Sequence, residues 1–192
     1  MPKYILEDLR KKAELYELPI TNMSLVKMLF SDGTTATILY RFMRFCQTHN
    51  LKILSAIIYR WNASTTHTVI GRNAEIGPGF IITHSLGVII NTHVRAGKNL
   101  TVYHGVTLGS EKNKSPILGD NVFIGAGAKI IGGVRIGSDV KIGANAVVTK
   151  DIPDGATVIG IPARIIRIYG KPVTTLSSKQ TENNSISDIS LQ

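Results

Sequence analysis

The sequence predicts a mainly β protein, a parallel β-helix with an N-terminal α-helical cap, and three features of the chain lead to that fold class. Apolar residues recur every six positions between Ile70 and Val148. Many of them are followed by glycine, and a small or apolar residue usually lies four positions further on. This hexapeptide pattern is typical of solenoids, in which short strands stack coil upon coil around one core. Residues 1–62 lack the pattern and have the apolar spacing of amphipathic helices.

Thirteen short segments make up the six-residue pattern. Their first residues are Ile70, Ile76, Ile82, Ile90, Ala96, Val102, Leu108, Leu118, Ile124, Ile130, Ile136, Ile142 and Val148. The residues expected to point inward four positions later are Ala74, Phe80, Val94, Leu100, Val106, Val122, Ala128, Val134, Val140, Ala146 and Ile152. If three segments form one triangular coil, every third segment lies on the same face, about 4.8 Å from its neighbour.

Two insertions interrupt the pattern. The first, at residues 83–87, lengthens one step from 6 residues to 8, and the second, at 110–116, lengthens another from 6 to 10. Insertions in a solenoid are extruded to its surface and often lie on its binding face. We therefore expect the chemistry of the protein at these two places.

One column of side chains at the first insertion combines two histidines with two alanines. In a three-segment coil, the positions two residues after Ile82 and its stacked equivalents hold His84, His104, Ala126 and Ala144. This arrangement places a polar spot beside a strip of small side chains. A long slender ligand could lie along the strip with its reactive end at the histidines.

Composition narrows the class of protein. The 192 residues, 43% of them hydrophobic, favour one folded domain with a short appendage. The lone Cys46 excludes an intramolecular disulfide and suits a reducing compartment. No segment resembles a signal peptide or a membrane span, so we expect a cytoplasmic protein. The predicted organisation is a helical cap at 1–62, a β-helix domain with a closing cap at 63–170, and a disordered tail at 171–192.

The formal charge of +9 favours anionic partners. No nucleic-acid-binding motif accompanies it, so we expect a phosphate-bearing cofactor and not a nucleic acid. A competing interpretation is a membrane-surface patch on the helices, and we expect no such membrane association. The residues of that patch would be Arg41, Phe42, Arg44, Phe45, Ile57, Tyr59 and Arg60.

Residues 63–170 resemble the hexapeptide-repeat acyltransferases, and within them the serine acetyltransferase-like branch. The motifs that carry the resemblance are IGPGFIITH, GVTLG, NVFIGAGAKIIG, IGANAVVTKDIP and GIPAR. The resemblance implies a left-handed β-helix that assembles as a homotrimer, with acetyl-CoA as co-substrate in the groove between subunits and no metal. The N-terminal helices could pair two trimers into a hexamer.

The resemblance also implies roles for individual residues. His84 would be the general base that takes a proton from an acceptor hydroxyl during direct attack on the thioester, without a covalent enzyme intermediate. The acceptor-binding candidates are His104, Asn91, Thr83 and Lys114. The coenzyme A candidates are Ala126, Ala144, Thr149, Lys150 and Arg167, of which the two cations would meet the phosphates.

Several of these residues could instead have a purely structural role. His104 could orient His84 or simply line the groove, and Asn91 could be a turn residue that tolerates left-handed geometry. Asp32, in the sequence FSDG, could be a turn or helix-cap residue or could take part in the acceptor pocket.

The acceptor is predicted to be a sugar hydroxyl in surface or exopolysaccharide biosynthesis. Serine acetyltransferases usually carry aspartate before the catalytic histidine and Arg-His before the loop proline, whereas this chain has Thr83 and Lys114-Ser115. The segments HSLGVIIN and YHGVTLG look like exopolysaccharide acetyltransferases, and a neutral hydroxyl needs no charged clamp. The alternative is a serine O-acetyltransferase of cysteine biosynthesis. Two further alternatives are a carbonic anhydrase-like protein with His84 and His104 as metal ligands, and a scaffold without catalysis.

Overall fold

The computed structural model describes residues 2–173 of the chain. Its helices are α1 (Pro2–Leu15), α2 (Asn22–Leu29), α3 (Thr34–Thr48) and α4 (Lys52–Thr66). The helical region therefore reaches Thr66, beyond the boundary predicted at 62. Most of the predicted tail at 171–192 lies outside the described residues, but Lys171–Pro172 form a strand within them.

Short strands follow the helices. They are β1 (Val69–Ile70), β2 (Glu75–Ile76), β3 (Ile81–Ile82), β4 (Ile89–Ile90), β5 (Arg95–Ala96), β6 (Thr101–Val102), β7 (Thr107–Gly109), β8 (Ile117–Leu118), β9 (Phe123–Ile124), β10 (Lys129–Ile131), β11 (Arg135–Ile136), β12 (Lys141–Ile142), β13 (Val147–Val148), β14 (Ala156–Ile159), β15 (Arg164–Ile168) and β16 (Lys171–Pro172). Each predicted segment from Ile70 to Val148 contributes one of the strands β1 to β13.

The strands form three parallel faces of one β-helix. The faces have the orders β1-β4-β7-β10-β13, β2-β5-β8-β11 and β3-β6-β9-β12-β14. From β1 to β13, each strand is therefore hydrogen-bonded to the strand three positions later in the chain, and β14 then pairs with β12. Antiparallel β15 and β16 extend the third face beyond β14. The predicted coil of three segments is thus confirmed, and the stack makes about four turns.

One continuous core fills the β-helix. All the segment-opening residues are buried except Ala96, which is partly buried, and all eleven predicted inward residues are buried. Helix α3 adds Ala36, Tyr40 and Met43 to the same core. The Tyr40 ring meets the Phe80 ring edge-on, with 5.8 Å between the ring centroids, so α3 closes the N-terminal end of the solenoid.

The second insertion is a β-hairpin. The backbone N–H of Glu111 donates to the Lys114 carbonyl at 3.0 Å, and the reverse bond is 2.9 Å long. Lys112 and Asn113 have φ of 48° and 59°, which is the backbone of a type I′ turn. The hairpin lies against Gly133, where an added Cβ would come within 2.7 Å of the Lys114 Cβ.

Polar side chains of the cap satisfy the unpaired backbone edge of the first coil, which has no strand below it. Tyr40 Oη donates to the Ala74 carbonyl at 2.9 Å and accepts from the Ile76 N–H at 3.1 Å. Arg41 donates to the carbonyls of Ile76 at 2.7 Å and of Gly77 at 2.6 Å. Asp8 accepts from the Phe80 N–H at 2.8 Å. Buried backbone groups need such partners, which explains why α1 and α3 carry charged residues on their buried sides.

The Arg41→Met variant is expected to lower the free energy of unfolding by about 3–5 kcal/mol, because it leaves the Asp8 carboxylate buried without its partner. Arg41 holds Asp8 with two bonds of 2.8 and 2.9 Å, and the two side chains are 4% and 6% exposed. Urea unfolding followed by circular dichroism measures the change. Arg44→Met is the matched control, since Arg44 pairs with the exposed Glu75 and should cost about 0–1 kcal/mol. Equal effects of the two variants would contradict the account.

Candidate active site

A histidine and an aspartate from distant parts of the chain meet at the first insertion. His84 follows β3, and Asp32 lies in the loop between α2 and α3. The Nδ1 atom of His84 is 2.9 Å from Asp32 Oδ2, and Ser85 Oγ donates to the other carboxylate oxygen at 3.3 Å. The histidine and aspartate side chains are 54% and 56% exposed, so the pair is open to a ligand.

The contact fixes which nitrogen of His84 is available for chemistry. A carboxylate accepts hydrogen bonds, so Nδ1 carries the proton and Nε2 keeps a free lone pair. Desolvation raises the pKa of Asp32, but the hydrogen bond from His84, the Gly33 N–H, the His84 charge and the Ser85 hydroxyl together leave that pKa below its usual value. Asp32 is therefore ionised at neutral pH.

Gly33 allows the aspartate loop to lie directly on the end of β3. Its φ is 77°, which is the left-handed region that favours glycine. A Cβ at this position would lie 2.2 Å from the Ile82 carbonyl oxygen, closer than any side chain permits. Because Ile82 precedes His84 by two residues, this approach sets the distance between the two members of the pair.

The predicted column of histidines and alanines is present. Val102 pairs with Ile82, Ile124 with Val102 and Ile142 with Ile124, so the residues two positions later lie one above another. The ring centroids of His84 and His104 are 5.9 Å apart, and His104 is exposed. Ala126 is half-buried and Ala144 is exposed. The column thus offers two imidazoles above a strip of small side chains.

Three of the predicted acceptor-binding residues, unlike His104, do not lie in the exposed column beside His84. Thr83 is 5% exposed, and its hydroxyl has no hydrogen-bond partner among residues 2–173. Asn91 fastens both ends of the hairpin, because its amide donates to Ser110 Oγ at 3.1 Å and its carbonyl oxygen accepts from Ser115 Oγ at 3.0 Å. Lys114 is exposed on that hairpin. Within one chain, Asn91 and Lys114 therefore belong to the second insertion and not to the corner that holds His84.

The coenzyme A candidates flank the column on two sides. Ala126 and Ala144 lie within it. Arg167 is on β15, opposite Thr157, on the face whose strands lead into the column. Thr149 and Lys150 follow β13 at the next corner, and these last three predicted residues are all exposed. Small residues with cations on either side fit a slender, polyanionic ligand.

Two features are absent from residues 2–173. None of the helices in 2–173 is long and apolar enough to cross a membrane. The same residues contain no group of three or more His, Cys, Asp or Glu side chains placed to hold a metal ion.

Known proteins resemble this chain in sequence and in fold. A family model described as bacterial transferase hexapeptide (six repeats) matches residues 115–150. The serine acetyltransferase of Helicobacter pylori is 36% identical over 156 residues, which cover 79% of this chain and 91% of that protein. The structure of Neisseria gonorrhoeae serine acetyltransferase in complex with serine is 31% identical, covers 86% of this chain and 69% of that one, and has a TM-score of 0.78. The Brucella abortus enzyme in complex with coenzyme A is 29% identical, covers 86% and 67% of the two chains, and has a TM-score of 0.77.

The left-handed β-helix, its hexapeptide coils and these similarities define an acetyl-CoA-dependent acyltransferase of the hexapeptide-repeat superfamily. Within that class the assignment can be narrower, because the similarity extends over most of the chain, including its helices. The chain belongs to the serine acetyltransferase family.

The predicted sugar acceptor is wrong, because the matched relatives and structures are serine acetyltransferases. The prediction depended on missing charges at Thr83 and at Lys114-Ser115. It left a role of Asp32 in the acceptor pocket as one possibility beside a turn or a helix cap, whereas the helical cap places the carboxylate of this residue beside His84. Ser85 and Gly33 also lie at the candidate site and were not assigned from the sequence, although the Asp-Gly step just before α3 was an available signal.

Proposed function

We propose that the protein transfers the acetyl group of acetyl-CoA to the side-chain hydroxyl of L-serine, with His84 as general base and Asp32 as its partner. The observation that carries the proposal is the 2.9 Å contact between His84 Nδ1 and Asp32 Oδ2 in a member of this family. Acetyl-CoA supplies the acetyl group in an activated thioester. The product would be O-acetylserine, a precursor for cysteine biosynthesis.

His84 carries out both proton transfers in this mechanism. Its Nε2 takes the proton of the serine hydroxyl while the hydroxyl oxygen bonds to the carbonyl carbon of the thioester. The imidazolium then gives the same proton to the sulfur that leaves when the C–S bond breaks. Asp32 keeps Nδ1 protonated and stabilises the positive charge that His84 carries between the two steps.

The exposed carboxylate of Asp32 can also recognise the ammonium group of serine. An ionised carboxylate has about four acceptor positions, and His84, Ser85 and the Gly33 N–H occupy three of them, which leaves one for the ammonium group. The carboxylate thereby supplies the negative charge that Thr83 lacks. His104, with its ring 5.9 Å from that of His84, is placed to contact the serine. Lys114 remains the candidate cation for the serine carboxylate, but it would have to come from a neighbouring subunit of the proposed homotrimer.

Coenzyme A would lie along the strip that continues from the histidines. Ala126 and Ala144 would let the pantetheine arm approach the wall, and Lys150 and Arg167 would attract the phosphates. Thr149 lies beside Lys150 at the neighbouring corner. Since the candidates flank two sides of the coil, a homotrimer with the groove between subunits suits them. The compartment that we propose for the protein is the cytoplasm.

The choice of serine is tested with acceptors that lack one charged group. We expect L-serine to have a kcat/KM at least about tenfold above those of 3-hydroxypropanoate, which lacks the ammonium, and ethanolamine, which lacks the carboxylate. Release of the coenzyme A thiol measures the rates. In Asp32→Asn the preference over 3-hydroxypropanoate should shrink, whereas Glu75→Gln, another exposed carboxylate, should leave it unchanged. Equal turnover of all three acceptors by the wild-type protein would contradict the proposal.

A further inference from the structure

We propose that Lys12 is a positioning residue for acetyl transfer, which holds the Asp32 loop against the end of β3 so that Asp32 meets His84. The inference rests on the proposed catalytic role of His84 and extends the machinery to a residue of α1. It concerns a buried side chain that has no place in the chemistry described above.

The ammonium group of Lys12 reaches three oxygens. Its Nζ donates to Thr34 Oγ1 at 2.8 Å, to the Ile82 carbonyl at 3.2 Å and to the Asp32 carbonyl. The residue is 3% exposed. Three bonds use all three protons of an ammonium group, so Lys12 has none left for a ligand. Its role must therefore be exerted through the groups that it holds.

Those three oxygens define where the aspartate loop lies. One belongs to Asp32 itself, one to Thr34 at the start of α3, and one to Ile82, two residues before His84. Gly33 approaches the same Ile82 carbonyl so closely that a Cβ would lie 2.2 Å from it. Lys12 thus joins the two backbone segments at the point where they touch, and each segment carries one member of the pair.

A buried ammonium group is a costly way to make this connection. Burial lowers the pKa of Lys12 to about 8, against the opposing effect of the Asp32 carboxylate. Lys12 caps the Ile82 carbonyl at the strand edge, as Tyr40, Arg41 and Asp8 cap neighbouring edge groups, but none of those three residues hydrogen-bonds to Asp32. The contact that distinguishes Lys12 from these residues is the bond to the Asp32 carbonyl.

The Lys12→Met variant is expected to lower kcat by about 10- to 100-fold, because small displacements of catalytic groups have effects of this size. The KM for acetyl-CoA should stay within about twofold, since the hydrogen bonds of Lys12 go to Asp32, Thr34 and Ile82 and not to a coenzyme A candidate. Asp8→Asn is the matched control. It weakens the docking of the same helix one turn earlier, and should leave kcat within about twofold at temperatures where both variants are folded.

A double-mutant cycle distinguishes positioning from general loosening. If Lys12 acts through Asp32, Lys12→Met should cost less than about twofold in kcat once Asp32→Asn is present. The more conservative Thr34→Val removes one of the three bonds and should give an intermediate loss in the wild-type background only. Additive losses, or an equal loss in Asp8→Asn, would overturn the inference. The cycle is run on the acceptor that the wild-type protein acetylates best, so failure of serine as acceptor would refute the proposed function and still leave the role of Lys12 tested.

Discussion

His84→Ala is expected to reduce kcat/KM for acetyl transfer by about 10²- to 10⁴-fold, because the variant has no base to take the acceptor proton. Binding of coenzyme A should persist, since the alanines and cations that we assign to it lie elsewhere. Steady-state thiol release measures the first quantity and isothermal titration calorimetry the second. The large loss is expected mainly in kcat, as the proton transfer is made only in the transition state.

His93→Ala is the control for that variant. His93 is exposed, and its recorded bond is from its backbone N–H to the Asn91 side chain, so removal of the ring should leave the rate within about twofold. Near wild-type turnover by His84→Ala would rule out His84 as the base. A comparable loss in His93→Ala would show that the effect is not specific to the pair.

Asp32→Asn is expected to lower kcat/KM by about 10- to 10³-fold, because the neutral amide cannot stabilise the positive charge that His84 carries during proton transfer. The pKa of Asp32 is below its usual value. The negative charge that assists His84 is therefore fully present at pH values above the usual pKa range of aspartate, and it is lost only as the pH falls through the lowered pKa. The neutral amide carries no such charge at any pH, so the loss of activity should persist throughout the neutral range.

Profiles of kcat/KM between pH 5 and pH 9 would measure this effect. Asp139→Asn serves as the control, because Asp139 accepts a bond from Asn121 on the surface and asparagine tolerates its φ of 58°. A kcat/KM of Asp32→Asn that equals the wild-type value throughout this pH range would contradict the pairing of Asp32 with His84.

The fold could be predicted because each coil obeys the same local rule. Ile82, Val102 and Ile124 occupy equivalent positions in successive coils, and each pairs with the apolar residue three segments later or earlier. Periodicity also located both insertions, because a lengthened step is visible in the sequence. The stacking of His84 over His104 followed from the same counting, and the 5.9 Å between their rings agrees with it.

The cap could not be interpreted by the same means. In α1, Leu6 and Leu15 are exposed, whereas the charged Asp8 and Lys12 are buried beside Leu9 and Ala13. The helix does not pack against an apolar sheet surface at these positions. It lies on a backbone edge whose N–H and C=O groups need charged or polar partners, so hydrophobic periodicity is the wrong signal there.

The acceptor was missed for the same reason. Asp32 and His84 are separated by 52 positions, and no repeat connects them. A missing charge at Thr83 was visible in the sequence, but the carboxylate that we propose in its place comes from the cap. Periodicity within the solenoid does not reveal such a contact, so the structure was needed to find it.

The most direct test of the account is a competition for limiting acetyl-CoA between equimolar L-serine and a panel of sugars and nucleotide sugars, with products identified by mass spectrometry. We predict O-acetylserine as the dominant product of the wild-type protein and its near disappearance with His84→Ala. A dominant acetylated sugar, or O-acetylserine formed equally by the wild type and His84→Ala, would contradict the account.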